Sequence, residues 1–303
     1  MSDYLTFTLI GQDGYEWDLT NETEGVMLRK GPSKLIDAPA KTYWLNSSTG
    51  AHYQGMTFER RDPVFSVQIY GDSPAQWADR DSRFRRSLGM VGEDTFTLQA
   101  ETSYGVRRLD MRLLTEPIAY ASAEWEGYDP WLRHESTLGI SAACERPFWE
   151  DPEPVELEWV PDTPTDSTTL LFENRGDVPV FWRGFANAPG KWRVPDRSWG
   201  QKIYAKAVYP FNRALDDAVR MVWLPELVEG EDVSIESDPD LPTLIAANGA
   251  PVQDRWQSNG ILYPIAPWTP PTAVTVECEG IEPGAGIQFW IPRWFSRPWG
   301  VSI

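Results

Sequence analysis

The sequence contains very few of the residues that most often build metal sites and disulfide frameworks. Its 303 residues include only two histidines and two cysteines. Neither His52 nor His134 lies near a cysteine or near paired carboxylates at zinc-binding spacing. Cys144 and Cys278 lie far apart in the sequence, and two cysteines do not make up the several pairs of a disulfide scaffold. We therefore expect no metal site, and we expect both cysteines to be reduced and buried.

The motifs of several large enzyme classes are also missing. There is no G-x-S-x-G elbow, no phosphate-binding G-x-x-x-x-G-K-[ST] loop and no G-x-G-x-x-G after a strand. Carboxylates are abundant, at 45 Asp and Glu, but clusters such as Asp216-Asp217 and residues 229–232 have the composition of turns between strands. The sequence predicts no catalytic residue and no cofactor, and therefore a protein that is not an enzyme.

Long apolar runs and basic segments are absent as well. No stretch approaches the roughly 20 apolar residues of a membrane helix, and the first residues lack the basic region and apolar core of a signal peptide. The net charge of −18 is shared by both halves of the chain, which disfavours sequence-specific nucleic-acid binding because phosphate recognition depends on Lys and Arg. We expect no membrane association, and synthesis in a cytoplasm.

What the sequence does contain is a series of short alternating segments separated by turns. The 26 prolines and 23 glycines are spread along the chain without a repeat period, as in mainly β proteins. A Pro-rich acidic stretch over residues 147–166 predicts a domain boundary, with a β domain in residues 1–150 and a β-sandwich in residues 151–303. Asn248-Gly249 predicts a type I′ hairpin turn. The predicted strands are Leu5–Ile10, Tyr15–Leu19, Val64–Tyr70, Leu138–Ala142, Val155–Trp159, Leu170–Asn174, Val178–Arg183, Lys202–Tyr209, Ala218–Leu224, Val233–Glu236, Val274–Glu279 and Ile287–Phe295.

One helix is predicted, near residues 73–88. Ser73 can cap Pro74 at the first helical position, and Gln76 stands where a capping box places its reciprocal acceptor. Trp77, Phe84 and Leu88 fall on one stripe that can pack on a sheet. After this helix, two alternating segments on either side of Ser103-Tyr104-Gly105 predict a long hairpin over residues 94–114.

This helix and hairpin belong to a run of short motifs that resembles the distal tail (Dit-like) minor tail protein of long-tailed actinobacteriophages. Each motif is individually weak, and their order and spacing over nearly the whole chain carry the resemblance. The motifs are Gly11-Gln12-Asp13-Gly14-Tyr15-Glu16-Trp17-Asp18-Leu19, Gly25-Val26, Tyr53-Gln54-Gly55, Gly92-Glu93-Asp94-Thr95-Phe96-Thr97-Leu98, Tyr104-Gly105-Val106-Arg107-Arg108-Leu109, Arg112-Leu113, Pro147-Phe148-Trp149 and Arg297-Pro298-Trp299-Gly300.

The resemblance implies a structural protein of the virion tail tip. Its first domain would be a tail-tube-like β domain, and its second a peripheral sandwich of the jelly-roll or galectin-like kind. Six copies would form a ring that joins the tail tube to the tail hub and leaves a channel for DNA. The implied partners are further copies of the chain, the tail tube protein and the tail hub protein, with the tape measure protein and a host cell-surface glycan as further candidates.

Four arginines are candidate contacts to another subunit or tail component. Arg80 and Arg86 exceed the acids that the helix can supply at i,i+4, where Asp79–Arg83 and Asp81–Arg85 are the predicted pairs. The predicted hairpin offers an inter-subunit edge, and it carries Arg107 and Arg108. A solvated face explains the helix arginines equally well.

The aromatic segment near residue 290 is the last candidate site. Phe289, Trp290, Trp294 and Trp299 lie close together, which predicts a docked segment rather than a frayed one, either on the sandwich or on a neighbouring subunit. The 16 tryptophans also support a different function. In that alternative the chain is a carbohydrate-binding or glycosidase-like β-sandwich protein whose Trp side chains form stacking platforms.

Overall fold

The computed structural model describes residues 4–29, 32–119, 129–201, 214–257 and 260–300. These residues form a mainly β protein, as predicted, and contain two α-helices, of which one was predicted. The chain divides into two compact units. Unit 1 comprises Met1–Pro152 together with Phe295–Val301, and Glu153–Trp294 form the bulk of unit 2. Residues 295–300 therefore belong to unit 1, whereas the sequence analysis assigned them to the second domain.

Unit 1 is built on an antiparallel sheet and one separate hairpin. Its strands are β1 (Thr6–Ile10), β2 (Glu16–Asp18), β3 (Val26–Leu28), β4 (Ala40–Ser47), β5 (Gly50–Phe58), β6 (Val64–Tyr70), β7 (Phe96–Thr102), β8 (Gly105–Leu113), β9 (Ile118–Ala119), β10 (Glu135–Ala143) and β11 (Trp149–Glu150). The main sheet has the order β2-β1-β7-β8-β10-β6-β3, with β9 on β10 and β11 on β8. Among the described strands, β4 and β5 pair only with each other.

The predicted helix is α1 (Pro74–Leu88). Ser73 is its N-cap and its side chain accepts a hydrogen bond from the Gln76 amide. The Gln76 side chain does not complete the predicted capping box, because its Oε1 accepts from the amide of Asp72 instead, at 2.6 Å. Trp77, Phe84 and Leu88 are buried as the stripe predicted. A second helix, α2 (Pro130–Arg133), is a single turn.

The hairpin predicted over residues 94–114 is present as β7 and β8. Its register runs from Phe96 opposite Met111 to Thr102 opposite Gly105. However, β1 pairs along the outer side of β7, while β10 and β11 pair with the outer side of β8. The expectation that this hairpin offers a free inter-subunit edge is therefore wrong, because the alternation that identified the strands says nothing about how many neighbours each strand has.

Unit 2 is a two-sheet β-sandwich. Its strands are β12 (Val155–Trp159), β13 (Asp166–Asn174), β14 (Arg183–Ala186), β15 (Lys191–Pro195), β16 (Met221–Trp223), β17 (Val233–Glu236), β18 (Leu244–Ala246), β19 (Thr269–Glu279) and β20 (Ile287–Ile291). The last strand, β21 (Trp294–Phe295), lies where the division between the units falls, and it pairs with β11. One sheet has the order β12-β20-β14-β17-β18 and the other β13-β19-β15-β16. Phe289 lies 5.2 Å from Phe172 of the second sheet, ring centre to ring centre, and 5.1 Å from Trp182.

Several strand predictions in unit 2 need correction. Residues 178–182 form no strand, although Val180 makes an isolated bridge to Ile265. The strand predicted over Ile287–Phe295 ends at Ile291 because the next residue, Pro292, has no amide hydrogen to continue the ladder. Asn248-Gly249 is not a hairpin turn, since a short 3-10 helix rather than a strand follows it. The strand predicted at Lys202–Tyr209 lies outside the described residues.

Both cysteines are free and buried, as predicted. Burial raises the pKa of the Cys144 thiol to about 12, against an opposing effect of the Arg61 guanidinium. No helix among the described residues is long and apolar enough to span a membrane.

Candidate assembly surface

The β4–β5 hairpin of unit 1 carries a cluster of exposed apolar side chains. Tyr43 is 43% exposed, Trp44 58%, Leu45 60% and Tyr53 49%. Monomeric proteins rarely leave contiguous aromatic and aliphatic side chains in water, and a larger exposed patch of this kind marks an interaction site. This hairpin was not predicted from the sequence, although the aromatic residues on either side of the turn at residues 48–49 are a usable signal.

Both faces of the hairpin carry apolar side chains. Trp44 is paired with Tyr53 across the two strands, and its indole N–H donates to Thr42 Oγ1 at 3.1 Å on the same face. On the other face, the Tyr43 hydroxyl lies 3.2 Å from Thr57 Oγ1. Neither face is therefore turned toward a core in the described chain.

The base of the hairpin is anchored while its outer part is not. Phe58 packs edge to face on Phe148, with ring centres 4.7 Å apart. Beside it, Lys41 Nζ lies 3.2 Å from a carboxylate oxygen of Glu59, which raises the pKa of Lys41. Toward the turn, no third strand pairs with either edge among the described residues. An isolated two-stranded hairpin is marginally stable in water, so this one has the properties of an arm that another surface covers.

The helix arginines differ sharply in environment. Arg80 is half-buried, and its guanidinium donates to the Tyr70 carbonyl at 2.6 Å. It also fills the space beside Gly25, where a Cβ would collide with it, and Gly25 has a positive φ of 74°. Arg86 is exposed over 77% of its side chain and lies 3.9 Å from an Asp13 carboxylate oxygen. Of these two predicted contact residues, only Arg86 projects into solvent.

The predicted i,i+4 pairs are both present on α1. Asp81 and Arg85 are 2.8 Å apart, whereas Asp79 and Arg83 are 3.8 Å apart. The Arg83 guanidinium also lies 4.8 Å from the ring centre of Tyr15. Arg83 and Arg85 of the arginine-rich helix face therefore already have partners within unit 1.

Arg107 and Arg108 point in opposite directions from β8. Arg108 is exposed and donates to Gln99 Oε1 at 3.0 Å. Arg107 is 97% buried, and it donates to the carbonyls of Arg297 and Gly300 at 2.8 and 3.2 Å. The structure thus places Arg107 inside unit 1 rather than at a surface open to another subunit, because the strand pleat turns alternate side chains inward.

The predicted aromatic segment is divided between the two units. Phe289 is fully buried in the core of unit 2, Trp290 is half-buried on the outer face of its five-stranded sheet, and Trp294 is buried. Trp299 lies in the part that belongs to unit 1 and is 36% exposed. The prediction placed this segment on the sandwich or on a neighbouring subunit, whereas the structure assigns residues 295–300 to unit 1.

The described residues offer little support for catalytic or metal chemistry. His52 is exposed on β5, and His134 ends α2 in a left-handed conformation. No group of three or more potential metal ligands occurs in the described ranges. Two acids expected in solvated turns are buried instead: Asp217 accepts from the Tyr263 hydroxyl at 2.6 Å, and Glu231 pairs with Arg255. These two carboxylates hold loops in place.

The chain is similar over almost its whole length to named phage tail proteins. It is 25% identical over 341 residues to minor tail protein Gp27 of Mycobacterium phage D29, covering 98% of this chain and all of that protein. Identity to minor tail protein Gp27 of Mycobacterium phage L5 is also 25%, with the same coverage. No family model matches the sequence.

The fold is similar to two solved tail structures. The Dit protein (gp 19.1) of phage SPP1 superposes with a TM-score of 0.53 at 11% identity, covering 95% of this chain and 99% of that one. A chain of the phage P2 baseplate in its activated conformation with calcium gives a TM-score of 0.50 at 12% identity, covering 96% and 98%. The resemblance to Dit-like minor tail proteins is thus confirmed in sequence and in fold, and these similarities support a structural role in a phage tail.

Proposed function

We propose that the chain is a tail-tip adaptor that closes into a homo-oligomeric ring of six copies between the tail tube and the tail hub, leaving a channel for DNA. The observation that carries this proposal is the β4–β5 hairpin, which exposes aromatic side chains on both faces. A ring needs a heterologous interface, in which one surface of each copy meets a different surface of the next. A projecting arm with two apolar faces suits such an interface because the next copy can cover it.

The aromatic residues of the arm are of the type that dominates binding energy at interfaces. Trp and Tyr are enriched among interface hot spots because they bury large areas with few rotatable bonds. Among the described residues no third strand pairs with β4 or β5, so a strand of the neighbouring copy could add main-chain hydrogen bonds at one of these edges. The arm therefore supplies both apolar area and directional contacts.

The proposed partners beyond the ring are the tail tube protein and the tail hub protein, and the proposed location is the tail tip of the virion. This placement is supported by the similarity to minor tail protein Gp27 and by the similarity in fold to the SPP1 Dit protein, which is described as a paradigm of the hub adsorption apparatus. The carbohydrate-binding alternative has less support, because no comparison points to it and because Trp182 and Trp192 of the sandwich are buried in its core, although Trp268 is 43% exposed.

The test is the mass and shape of the purified chain, alone and with the tube or hub protein, measured by mass photometry and negative-stain imaging. We expect six-membered rings for the parent chain. Leu45→Ser should abolish or strongly weaken them, whereas Ile245→Ser should not, since Ile245 has a similar exposure of 57% but lies on unit 2. Rings that form equally well with both variants would exclude the arm as the ring contact, and a parent chain that stays monomeric with both partners would contradict the proposed function.

A further inference from the structure

Unit 1 contains a groove that is filled by residues from the far end of the described chain. These residues, 295–300, are called the return segment here because the chain comes back to unit 1 after forming unit 2. Phe295 is 4% exposed and is part of the hydrophobic core of unit 1. The return segment is thus part of that core and not a surface attachment.

Two buried arginines hold the main chain of the return segment. Arg61 is fully buried, and it donates to the carbonyls of Leu35 and Ser296 at 3.0 and 3.1 Å. Arg107 donates to the carbonyls of Arg297 and Gly300, and its guanidinium lies 3.5 Å from the ring centre of Phe295. Such charge-assisted hydrogen bonds are stronger than neutral ones, especially where water is excluded.

The loop that precedes β4 completes the groove. The amide of Ala38 donates to the Ser296 carbonyl at 2.7 Å, so this one oxygen accepts from both Ala38 and Arg61. The Trp149 indole fixes the same loop by donating to the Ile36 carbonyl at 3.2 Å. The groove therefore recognises an aromatic side chain followed by several main-chain carbonyls, which is the pattern of an extended peptide.

We propose that unit 1 carries a peptide-binding groove, built by Arg61 and Arg107, whose ligand is the chain's own return segment, and that the loop at residues 35–38 is not ordered until this segment is bound. The physical reason is the distance along the sequence. The hydrogen bond from Arg61 to Ser296 spans 235 residues and that from Arg107 to Gly300 spans 193. Until those residues are made, two buried guanidinium groups lack these acceptors, which is costly in an apolar environment.

The groove also affects the position of the β4–β5 arm, because the loop at residues 35–38 leads directly into β4. Ordering this loop fixes the point from which the arm projects. The link to the arm rests on the proposed ring function. Binding of the return segment does not depend on a ring, and it can be tested in a monomer.

The first test is amide hydrogen exchange on the full-length chain. We expect Arg107→Met to speed exchange of the Ala38 amide by roughly tenfold to a hundredfold, the range expected for loss of one or two charge-assisted hydrogen bonds that order the segment. Arg108→Met is the matched control, since Arg108 is the next residue of the same strand but faces solvent. The Leu28 amide, which donates to Leu19 within unit 1, is the internal reference and should not change.

The second test uses a chain that ends after Trp294, together with a fluorescently labelled synthetic peptide of residues 295–300. We expect saturable binding, and at least tenfold weaker binding when Phe295→Ala is made in the peptide or Arg107→Met in the truncated chain. If the truncated chain does not fold, the exchange experiment on the full-length chain decides the matter.

Equal exchange at Ala38 in Arg107→Met and Arg108→Met would overturn the proposal, as would a folded truncated chain that does not bind the peptide. Faster exchange at Leu28 as well as Ala38 would also overturn it, because the arginine would then act on the stability of unit 1 as a whole. None of these readouts requires a ring, so failure here is distinguishable from failure of the proposed function.

Discussion

Trp44 and Tyr53 face each other across the β4–β5 arm, with their ring centres 5.4 Å apart and their planes inclined at 68°. Edge-to-face pairs of this kind stabilise cross-strand contacts by about 0.5–1.5 kcal/mol beyond the area they bury. The pair thus stiffens the outer part of the arm without covering it. An arm whose shape is set before association loses less conformational entropy when another surface binds it.

The first prediction concerns this pair. The double change Trp44→Ser and Tyr53→Ser should leave the free energy of unfolding of the isolated chain within about 1.5 kcal/mol of the parent value, since it removes this ring pair but no buried contact. Ring assembly should nevertheless be lost. Urea unfolding measures the first effect and mass photometry the second. A large fall in stability would mean that the arm packs on its own chain.

The second prediction separates the two helix arginines. Arg80→Ala should destabilise unit 1 by about 1–3 kcal/mol, because it leaves the Tyr70 carbonyl without its charged donor and opens the space beside Gly25. Arg86→Ala should change stability by less than about 1 kcal/mol, as is usual for an exposed ion pair. Chemical denaturation of the two variants side by side gives the comparison.

Arg86 can still serve as a contact to another copy or tail component, and a charge reversal is the sharper test of that. Arg86→Glu introduces repulsion against an acidic neighbour, and a chain of net charge −18 offers such neighbours on every copy. We expect weaker assembly at low salt that is partly restored at moderate salt. Assembly equal to the parent in both conditions would show Arg86 to be part of a solvated face.

The sequence was sufficient for the features that depend on local patterning. The helix cap at Ser73, the buried stripe of Trp77, Phe84 and Leu88, and the β7–β8 hairpin all rest on spacing within a few residues. The burial of Phe289 was also predicted, from a strand that carries aromatic residues on both faces. Each of these is a short-range consequence of side-chain periodicity or capping.

The features that were missed depend on contacts between distant parts of the chain. Whether β7 has a free edge depends on β1, and whether Arg107 is exposed depends on residues near 300. The β4–β5 arm was missed for a different reason. Neither of its faces is buried against the chain, so it lacks the polar and apolar alternation by which half-buried strands are recognised.

The third prediction concerns a buried ion pair in unit 2. The Asp196 carboxylate is fully buried, accepts from the amides of Leu262 and Tyr263 at 2.9–3.1 Å, and pairs with Arg220. Asp196→Ala should cost about 3–5 kcal/mol of stability because it leaves the Arg220 charge buried without its carboxylate.

The control is the less buried pair Arg183–Glu236, which is 2.8 Å apart and in which the Arg183 side chain is 51% exposed and the Glu236 side chain 17% exposed. Glu236→Ala should cost about 0–1 kcal/mol. Thermal unfolding followed by circular dichroism would measure both variants. Similar losses of stability in the two variants would show that burial does not increase the contribution of the Asp196–Arg220 pair to the stability of unit 2.

The last prediction is a pH dependence that originates at Cys144. The thiol has an ordinary pKa of 9.0, and burial raises the pKa in the folded chain to about 12. Above pH 9 the unfolded chain loses this proton while the folded chain keeps it, so the folded state binds more protons and its stability falls as the pH rises. The slope approaches about 1.4 kcal/mol per pH unit.

Burial lowers the pKa of Arg61 to about 10. Above that pH the titration of Arg61 changes stability in the opposite direction, which makes pH 9 to 10 the clearest window for Cys144. Cys144→Ala should therefore lose less stability than the parent chain between pH 9 and 10, as measured by urea unfolding at each pH. Parallel curves for parent and variant would show that Cys144 does not titrate differently in the folded and unfolded states.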